Sequence, residues 1–280
     1  KSNLSEFGQS VKADHIPHSV IIDCSSSEEV ADCYPQWLKE GIHVITPNKK
    51  AGSGPLVRYQ QVRRNEKEYQ RHFFCEATVG AGLPVISTLQ DLLQTGDEVV
   101  SIEGILSGTL SYLFSQWYLP EWVNRNFSEL VLLAKQKGYT EPDPRDDLNG
   151  KDVARKVIIL AREAGFSLDL SDVEIQSLVP STLTNLKTTE EFLSRITEMD
   201  EPMQKRMAES RSKNLVLRYT GFVNAKGQAQ VGLKEFSSDH PFARVKGTDN
   251  IFVFQTKRYF DAPLIIQGPG AGPEVTAGGV

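Results

Sequence analysis

SVIIDCSSSEEVADCYPQWLKEGIHVITPNKK, residues 19–50, decides the fold. Residues 19–24 read as a short buried strand that gives out at the serine run Ser25, Ser26, Ser27. Residues 28–40 set Val30, Cys33, Trp37 and Leu38 at helical contact spacing, with Gly41 as the stop and Pro35 predicting a kink or break inside. Residues 42–46 read as a second buried strand, followed by Pro47, Asn48, Lys49 and Lys50. A strand, a helix and a strand with no room for a hairpin make a right-handed crossover unit of a parallel sheet. Ligands of such sheets lie outside the carboxyl ends of the strands. Ser25 and Lys49 both fall on that rim; either alone passes for an exposed turn residue, but together they mark a binding edge.

Downstream, residues 57–67 read as a charged helix and HFFCEATV (72–79) as a strand running into the turn Gly80, Ala81, Gly82, Leu83, Pro84, which also suits a domain hinge. Residues 84–94 predict a helix and 98–106 a strand. Ser107, Gly108 and Thr109 open a further helix, whose free N–H groups suit either simple capping or an anion, so no site is assigned there. A helix over 128–137 leads to GYTEPDPRDDLNGKDVARKVIILAREAG (138–165), the stretch richest in chemistry. Pro142 and Pro144 hold its start extended, and Asp146, Asp147 and Asn149 are side chains that cap a helix start. From about Lys151 the spacing of Val153, Val157, Leu160, Ala161 and Ala164 predicts a buried helical stripe that Gly165 ends.

Asp152 and Lys156 stand four apart, about 40° from each other around that helix, and Lys151 and Arg155 do the same. For Asp152 and Lys156 a solvated ion pair is the plain reading. Beside an acidic loop holding Glu141, Asp143, Asp146 and Asp147, the first pair also suits a site in which a carboxylate orients a lysine acting as general acid or base. After Gly165 the pattern becomes α+β: polar helices at 188–199 and 201–213, then strands at 215–223, 228–236, 251–256 and 264–267 that alternate as in an antiparallel sheet with one covered face. The final GPGAGPEVTAGGV places glycines ahead of Pro273, which suits the first turn of a helix.

With 280 residues, 39% hydrophobic and 24% charged, the chain can bury one large core or two ordinary ones. A net charge of −5 without a basic tract points away from nucleic acid and from anionic membrane surfaces, toward small-molecule work. Cys24, Cys33 and Cys75 lack zinc spacing and lie in or beside apolar segments, so they read as reduced and structural, in a reducing compartment. No apolar run reaches the roughly 18 residues of a membrane helix, nor is there a signal-peptide pattern, so an intracellular protein is expected.

TEPDPRDDLNGKDVARK closely resembles the core motif of homoserine dehydrogenases, and TPNKKA, CEATVGAGLPVI and GILSGTLSYL resemble further segments of that family. The resemblance runs from about Ser19 to Val280. It implies an α/β fold: a partial Rossmann-type parallel sheet (1–84), an α+β catalytic and dimerisation domain with a mixed sheet (85–262), and a return segment to the nucleotide-binding domain (263–280). The activity implied is the NAD(P)-dependent interconversion of L-homoserine and L-aspartate 4-semialdehyde, toward threonine and methionine, with NADP or NAD as cofactor.

By the same resemblance Lys156 is the proton donor and Lys49 its electrostatic partner on the opposite wall, touching cofactor and substrate. Asp152 binds the substrate, Glu141 orders substrate and cofactor, and Ser25, Gly138 and Gly272 lie against the cofactor. Glu76 with the carbonyls of Val79, Ala81 and Leu83 would hold a monovalent cation, Na+ or K+. A homodimer through the catalytic domain and fusion to an aspartate kinase are implied as partners, in the cytoplasm, or in a plastid for a plant or alga. One departure stands out: nothing before Ser19 resembles strand–GxGxxG–helix, so the chain is expected to be N-terminally incomplete and to bind cofactor poorly alone. Two other readings stay open: a lyase or aldolase forming a Schiff base through Lys156 or Lys49, and a non-catalytic oligomerisation fragment of a bifunctional enzyme.

Overall fold

The computed structural model describes residues 3–12, 18–122 and 124–280. Parallel pairing organises its first part: α1 (Leu4–Val11), β1 (Ser19–Ile22), α2 (Glu28–Ala31), α3 (Tyr34–Lys39), β2 (Ile42–Ile45), α4 (Lys50–Ser53), α5 (Leu56–Glu68) and β3 (Phe73–Phe74). β1 pairs with β2 from Ser19 opposite Ile42 to Ile22 opposite Ile45, and β2 with β3, all in parallel, so the expected crossover unit forms. The helix within it divides at Asp32 and Cys33. Pro35 falls in the first turn of α3, where a missing N–H costs nothing.

Several expectations need correcting. Residues 19–24 are not a buried strand throughout: β1 is an edge strand, and Val20 and Ile22 are 47% and 57% exposed on its uncovered face. The strand expected at 72–79 shrinks to Phe73–Phe74. The cause is Glu76, whose carboxylate accepts the N–H groups of Ile86 at 2.7 Å and Ser87 at 2.8 Å and so draws Glu76–Thr78 into a 3-10 turn. Cys24 is exposed rather than packed in an apolar layer, whereas Cys75 is buried; all three thiols are free.

The second part runs α6 (Val85–Gln94), β4 (Val99–Ile105), α7 (Gly108–Gln116), α8 (Phe127–Gln136), α9 (Arg145–Leu148), α10 (Lys151–Glu163), β5 (Val173–Ile175), α11 (Ser181–Thr184), α12 (Thr189–Ser194) and α13 (Asp200–Ser212). β6 (Leu215–Asn224), β7 (Ala229–Ser237), β8 (Asp249–Thr256), β9 (Leu264–Pro269) and α14 (Pro273–Gly279) complete it. The six strands order as β5-β7-β6-β4-β8-β9, and the parallel β5–β7 pair makes the sheet mixed. Residues 264–269 extend this sheet, so the return toward the smaller one is made by α14, where Gly82 faces Val275 and Gly279 faces Ala81.

α10 is the helix that joins the two parts. From Val153 to Arg162 nearly every residue is buried, on more than one face, as a helix between two layers must be. Two glycines let it come so close. A Cβ on Gly221 of β6 would stand 2.5 Å from Val157 Cγ2, and one on Gly52 of α4 would stand 2.9 Å from Ile159 Cγ1. Each fully buried Val, Ile or Leu on this helix contributes about 1.5–3 kcal/mol.

Candidate active site

The first turn of α10 begins at Gly150, in the left-handed region at φ +75° and beside the Tyr219 hydroxyl, which would lie 2.0 Å from any Cβ placed there. The expected capping role of Asp146 and Asp147 is not found: both lie within α9, and Asn149 alone of the three accepts a bond from this turn, the Lys151 N–H at 2.8 Å. Asp152 and Lys156 follow on one face. Lys156 Nζ stands 2.9 Å from Asp152 Oδ2 and donates to the Leu106 carbonyl at 2.7 Å, while only 9% of the residue is exposed. An ammonium has three donors, so one is left for a ligand.

The opposite wall is the turn after β2. Asn48 stitches it to the turn after β1: its Nδ2 donates to Asp23 Oδ2 and to the Ser27 carbonyl, both at 3.0 Å, and its Oδ1 accepts from the Lys50 N–H. Asp23 is buried, which acts to raise its pKa, but hydrogen bonds from Tyr34, Ser25 and Asn48 hold it below the usual carboxylate range. This charged anchor fixes both rim turns. Lys49 then projects across the gap, its Nζ 3.4 Å from Asp152 Oδ1. Asp152 therefore gives one oxygen to each lysine. Burial works to raise its pKa, and Lys156 with Lys49 overcomes that and keeps the carboxyl strongly acidic.

A third group closes the site. Asp147 accepts the Glu141 N–H at 2.8 Å through Oδ2 and shares a 2.7 Å contact with the Thr109 hydroxyl through Oδ1. Thr109 has one proton to share between Asp147 Oδ1 and the Tyr139 carbonyl, which its hydroxyl meets at 2.6 Å. The pKa of Asp147 is pushed up to about 6, burial being the largest cause and the charges of Glu141 and Asp152 adding to it, against the hydrogen bonds of Thr109 and Glu141.

The structure thus brings Lys49, Asp152 and Lys156 together and puts the backbone of Glu141 on Asp147 next to them, the Glu141 side chain being exposed. Ser25 lies on the rim, its N–H bonded to Asp23 and its hydroxyl accepting from Ser27. Gly138 closes α8 at φ +72°, with open space where a side chain would be. Gly272 starts α14 at φ +122°, in the turn whose Ala271 faces Gly108 at the head of α7. Glu76 spends both oxygens capping α6, while among the described residues the carbonyls of Val79 and Ala81 accept no hydrogen bond and that of Leu83 accepts from Val85. Sequence reasoning missed Asp147 as a half-buried acid, Thr109 as its partner, and Asn48. Only the tertiary fold decides which of several adjacent acids turns inward.

Comparison with known proteins identifies the family. Residues 84–280 match the homoserine dehydrogenase family model, and residues 3–76 match the model described as the homoserine dehydrogenase NAD binding domain. The chain is 52% identical to bifunctional aspartokinase/homoserine dehydrogenase 1, chloroplastic, of Arabidopsis thaliana over 100% of this chain and 30% of that protein. It is 44% identical to homoserine dehydrogenase of Saccharomyces cerevisiae over 93% of this chain and 73% of that protein. The structure of a hyperthermophilic archaeal homoserine dehydrogenase in complex with NADPH superimposes with a TM-score of 0.69 at 25% identity, covering 93% of this chain and 68% of that one. The chain thus spans about a third of the plant relative's length and most of the yeast relative's, and it belongs to the homoserine dehydrogenase family.

Proposed function

We propose that this chain carries the catalytic and part of the cofactor site of an NAD(P)-dependent homoserine dehydrogenase, interconverting L-homoserine and L-aspartate 4-semialdehyde. The observation that supports it best is Asp152 bridging Lys49, from the parallel sheet, and Lys156, from the helix between the sheets. The rim turns at Ser25–Ser27 and Asn48–Lys50 lie at the carboxyl ends of β1 and β2, where a dinucleotide's nicotinamide end fits. NAD(P), when bound, supplies or accepts the hydride.

The residues do the rest. Lys156 donates its free N–H to the aldehyde oxygen and passes it a proton as the hydroxyl forms, and returns to charge from solvent. Lys49 adds a second positive charge against the developing alkoxide. Asp152 holds both ammonium groups in place, and Asp147 with Glu141 receives the substrate's amino group. Ser25, Gly138 and Gly272 line the cofactor's path. Replacing Lys156 by Ala in the native polypeptide should lower kcat by about 10² or more, the scale of a lost general acid, with little change in melting. Near-normal turnover by the folded variant overturns the assignment. A Schiff-base lyase would be trapped by borohydride with substrate; a dehydrogenase gives no adduct.

The Glu76 turn fits a hard monovalent ion, Na+ or K+. Each carboxylate oxygen keeps a lone pair beyond its helix-capping bond, and the Val79, Ala81 and Leu83 carbonyls add neutral oxygen donors. The larger sheet, whose β7 exposes Lys234 over the half-buried Phe222 of β6, would serve a homodimer, checked by sedimentation. Fusion to an aspartate kinase, as the name of the plant relative states for that protein, and a reducing compartment, cytoplasm or plastid, complete the reading. Among the described residues no helix is long and apolar enough to cross a membrane.

A further inference from the structure

Lys49 immediately precedes α4, which rests on α10, and a residue that ties α4 to α10 lies away from the chemistry. Arg162, on the last turns of α10, has a side chain that is 0% exposed. Its Nη1 donates to the Gly52 carbonyl at 2.7 Å and the Gly54 carbonyl at 2.8 Å, the end of α4 and the residue after it. Nε donates to the Leu168 carbonyl at 3.0 Å, and Nη2 meets Asp169 Oδ1 at 2.9 Å. Asp169 Oδ1 also accepts the Leu56 N–H at 3.0 Å, so the start of α5 is tied to the same point. Between clamp and chemistry, Gly52 rests on Ile159 with no room for a Cβ.

We propose that Arg162 is a positioning residue for Lys49: by tying the turn of Gly52 and Gly54 to α10, it sets the gap across which Lys49 meets Asp152. The proposal rests on the role given above to Lys49 and deepens it. Asp152 and Arg162 lie on one helix, ten residues or roughly 15 Å apart, so the gap is set by a rigid rod rather than by two independent loops. Only an arginine offers several donors in a fixed fork that can hold two carbonyls and a carboxylate together while wholly enclosed. Placing reactive groups is where such a device matters, since an error of about 1 Å can cost 10²-fold in rate.

The test reads Lys49 directly. The rate of reductive methylation of each lysine, followed by mass spectrometry, needs no turnover. Arg162→Met should raise labelling of Lys49 about 5-fold, the scale of a half-exposed ion pair, and leave Lys156 unchanged. In the native polypeptide kcat/KM should fall by about 10², whereas adding Arg162→Met to Lys49→Met should cost almost nothing more, because the clamp acts through a group already gone. Unchanged Lys49 labelling, or a full second loss in the Lys49→Met background, overturns the proposal.

Should Arg162→Met fail to fold, Gly52→Ala opens the same gap with Arg162 in place. It should expose Lys49 to the reagent, and adding Ile159→Ala should restore protection. A folded Gly52→Ala chain with normal Lys49 labelling also overturns the clamp. If Lys49→Met keeps full turnover, the role of Lys49 in the reaction fails instead, and the labelling still reports on Arg162 by itself.

Discussion

The two ends of α10 carry similar residues to opposite effect. At its start Lys156 and Asp152 form an ion pair, and at its end Arg162 and Glu163 form pairs as well. The difference is in what is left over. Lys156 retains a donor and Asp152 faces a second lysine across a gap, with 41% of the Asp152 side chain exposed. Glu163 is closed: it accepts from Tyr59, Arg63 and Gln90, and 4% of its side chain is exposed. Charge that is fully engaged holds elements together, while charge with spare valence and solvent access is available to a ligand. On one helix the fold separates the two uses by about two turns.

Three measurements would break or sharpen this contrast. The largest effect is expected at the closed end. Glu163→Ala leaves the half-buried Arg63 with only the Glu66 carboxylate to answer it, and should cost about 2 kcal/mol of stability with kcat nearly unchanged wherever the protein stays folded. Normal melting with a collapsed kcat would reverse the assignment of the two ends.

Next comes Asp147, a group between the extremes. The fold favours its protonated form, so stability from this residue is greatest below the ordinary carboxylate pKa of 3.8 and declines as pH rises toward about 6. Holding a substrate ammonium needs the ionised form. The KM for homoserine should therefore rise as pH falls below about 6, up to 10-fold per pH unit, with kcat less affected, and Asp147→Asn should flatten that limb. A KM independent of pH between 5 and 7 in the unmodified protein, within about 2-fold, would remove Asp147 from the substrate site.

The smallest effect is expected at Glu76, which is both a cap and a candidate ion ligand. Glu76→Ala should lose about 1 kcal/mol as a helix cap and abolish any rise of melting temperature with Na+ or K+. Persistence of an ion-dependent rise in the variant would move the ion elsewhere.

What could be read from the residues was whatever spacing encodes. The crossover unit of residues 19–50 and the stripe of α10 follow from periodicity, and both formed. Asp152 and Lys156 could be placed on one face for the same reason. Their meeting with Lys49 had no signal in spacing and came in through resemblance. The failures share a cause, since each depends on tertiary packing that periodicity does not encode. Phe73–Phe74 stops short because Glu76 answers the head of α6, and Val20 and Ile22 stay exposed because, among the described residues, nothing covers their face of β1. Arg162 did leave a trace, as a charge set in the run IILARE among buried residues, where an unpaired arginine would be costly.

The clamp and the bridge also have a history in time. Arg162 and Gly52 are 110 residues apart in sequence, and Leu56 and Asp169 are 113 apart. Contacts of such separation reward the chain only after a long loop has closed, at an entropic cost that local turns do not face. During synthesis the segment bearing Lys49 leaves the ribosome well before α10 exists. The two walls of the candidate site therefore meet only once α10 has been made, and a nascent chain halted before residue 152 holds the Lys49 wall without the other.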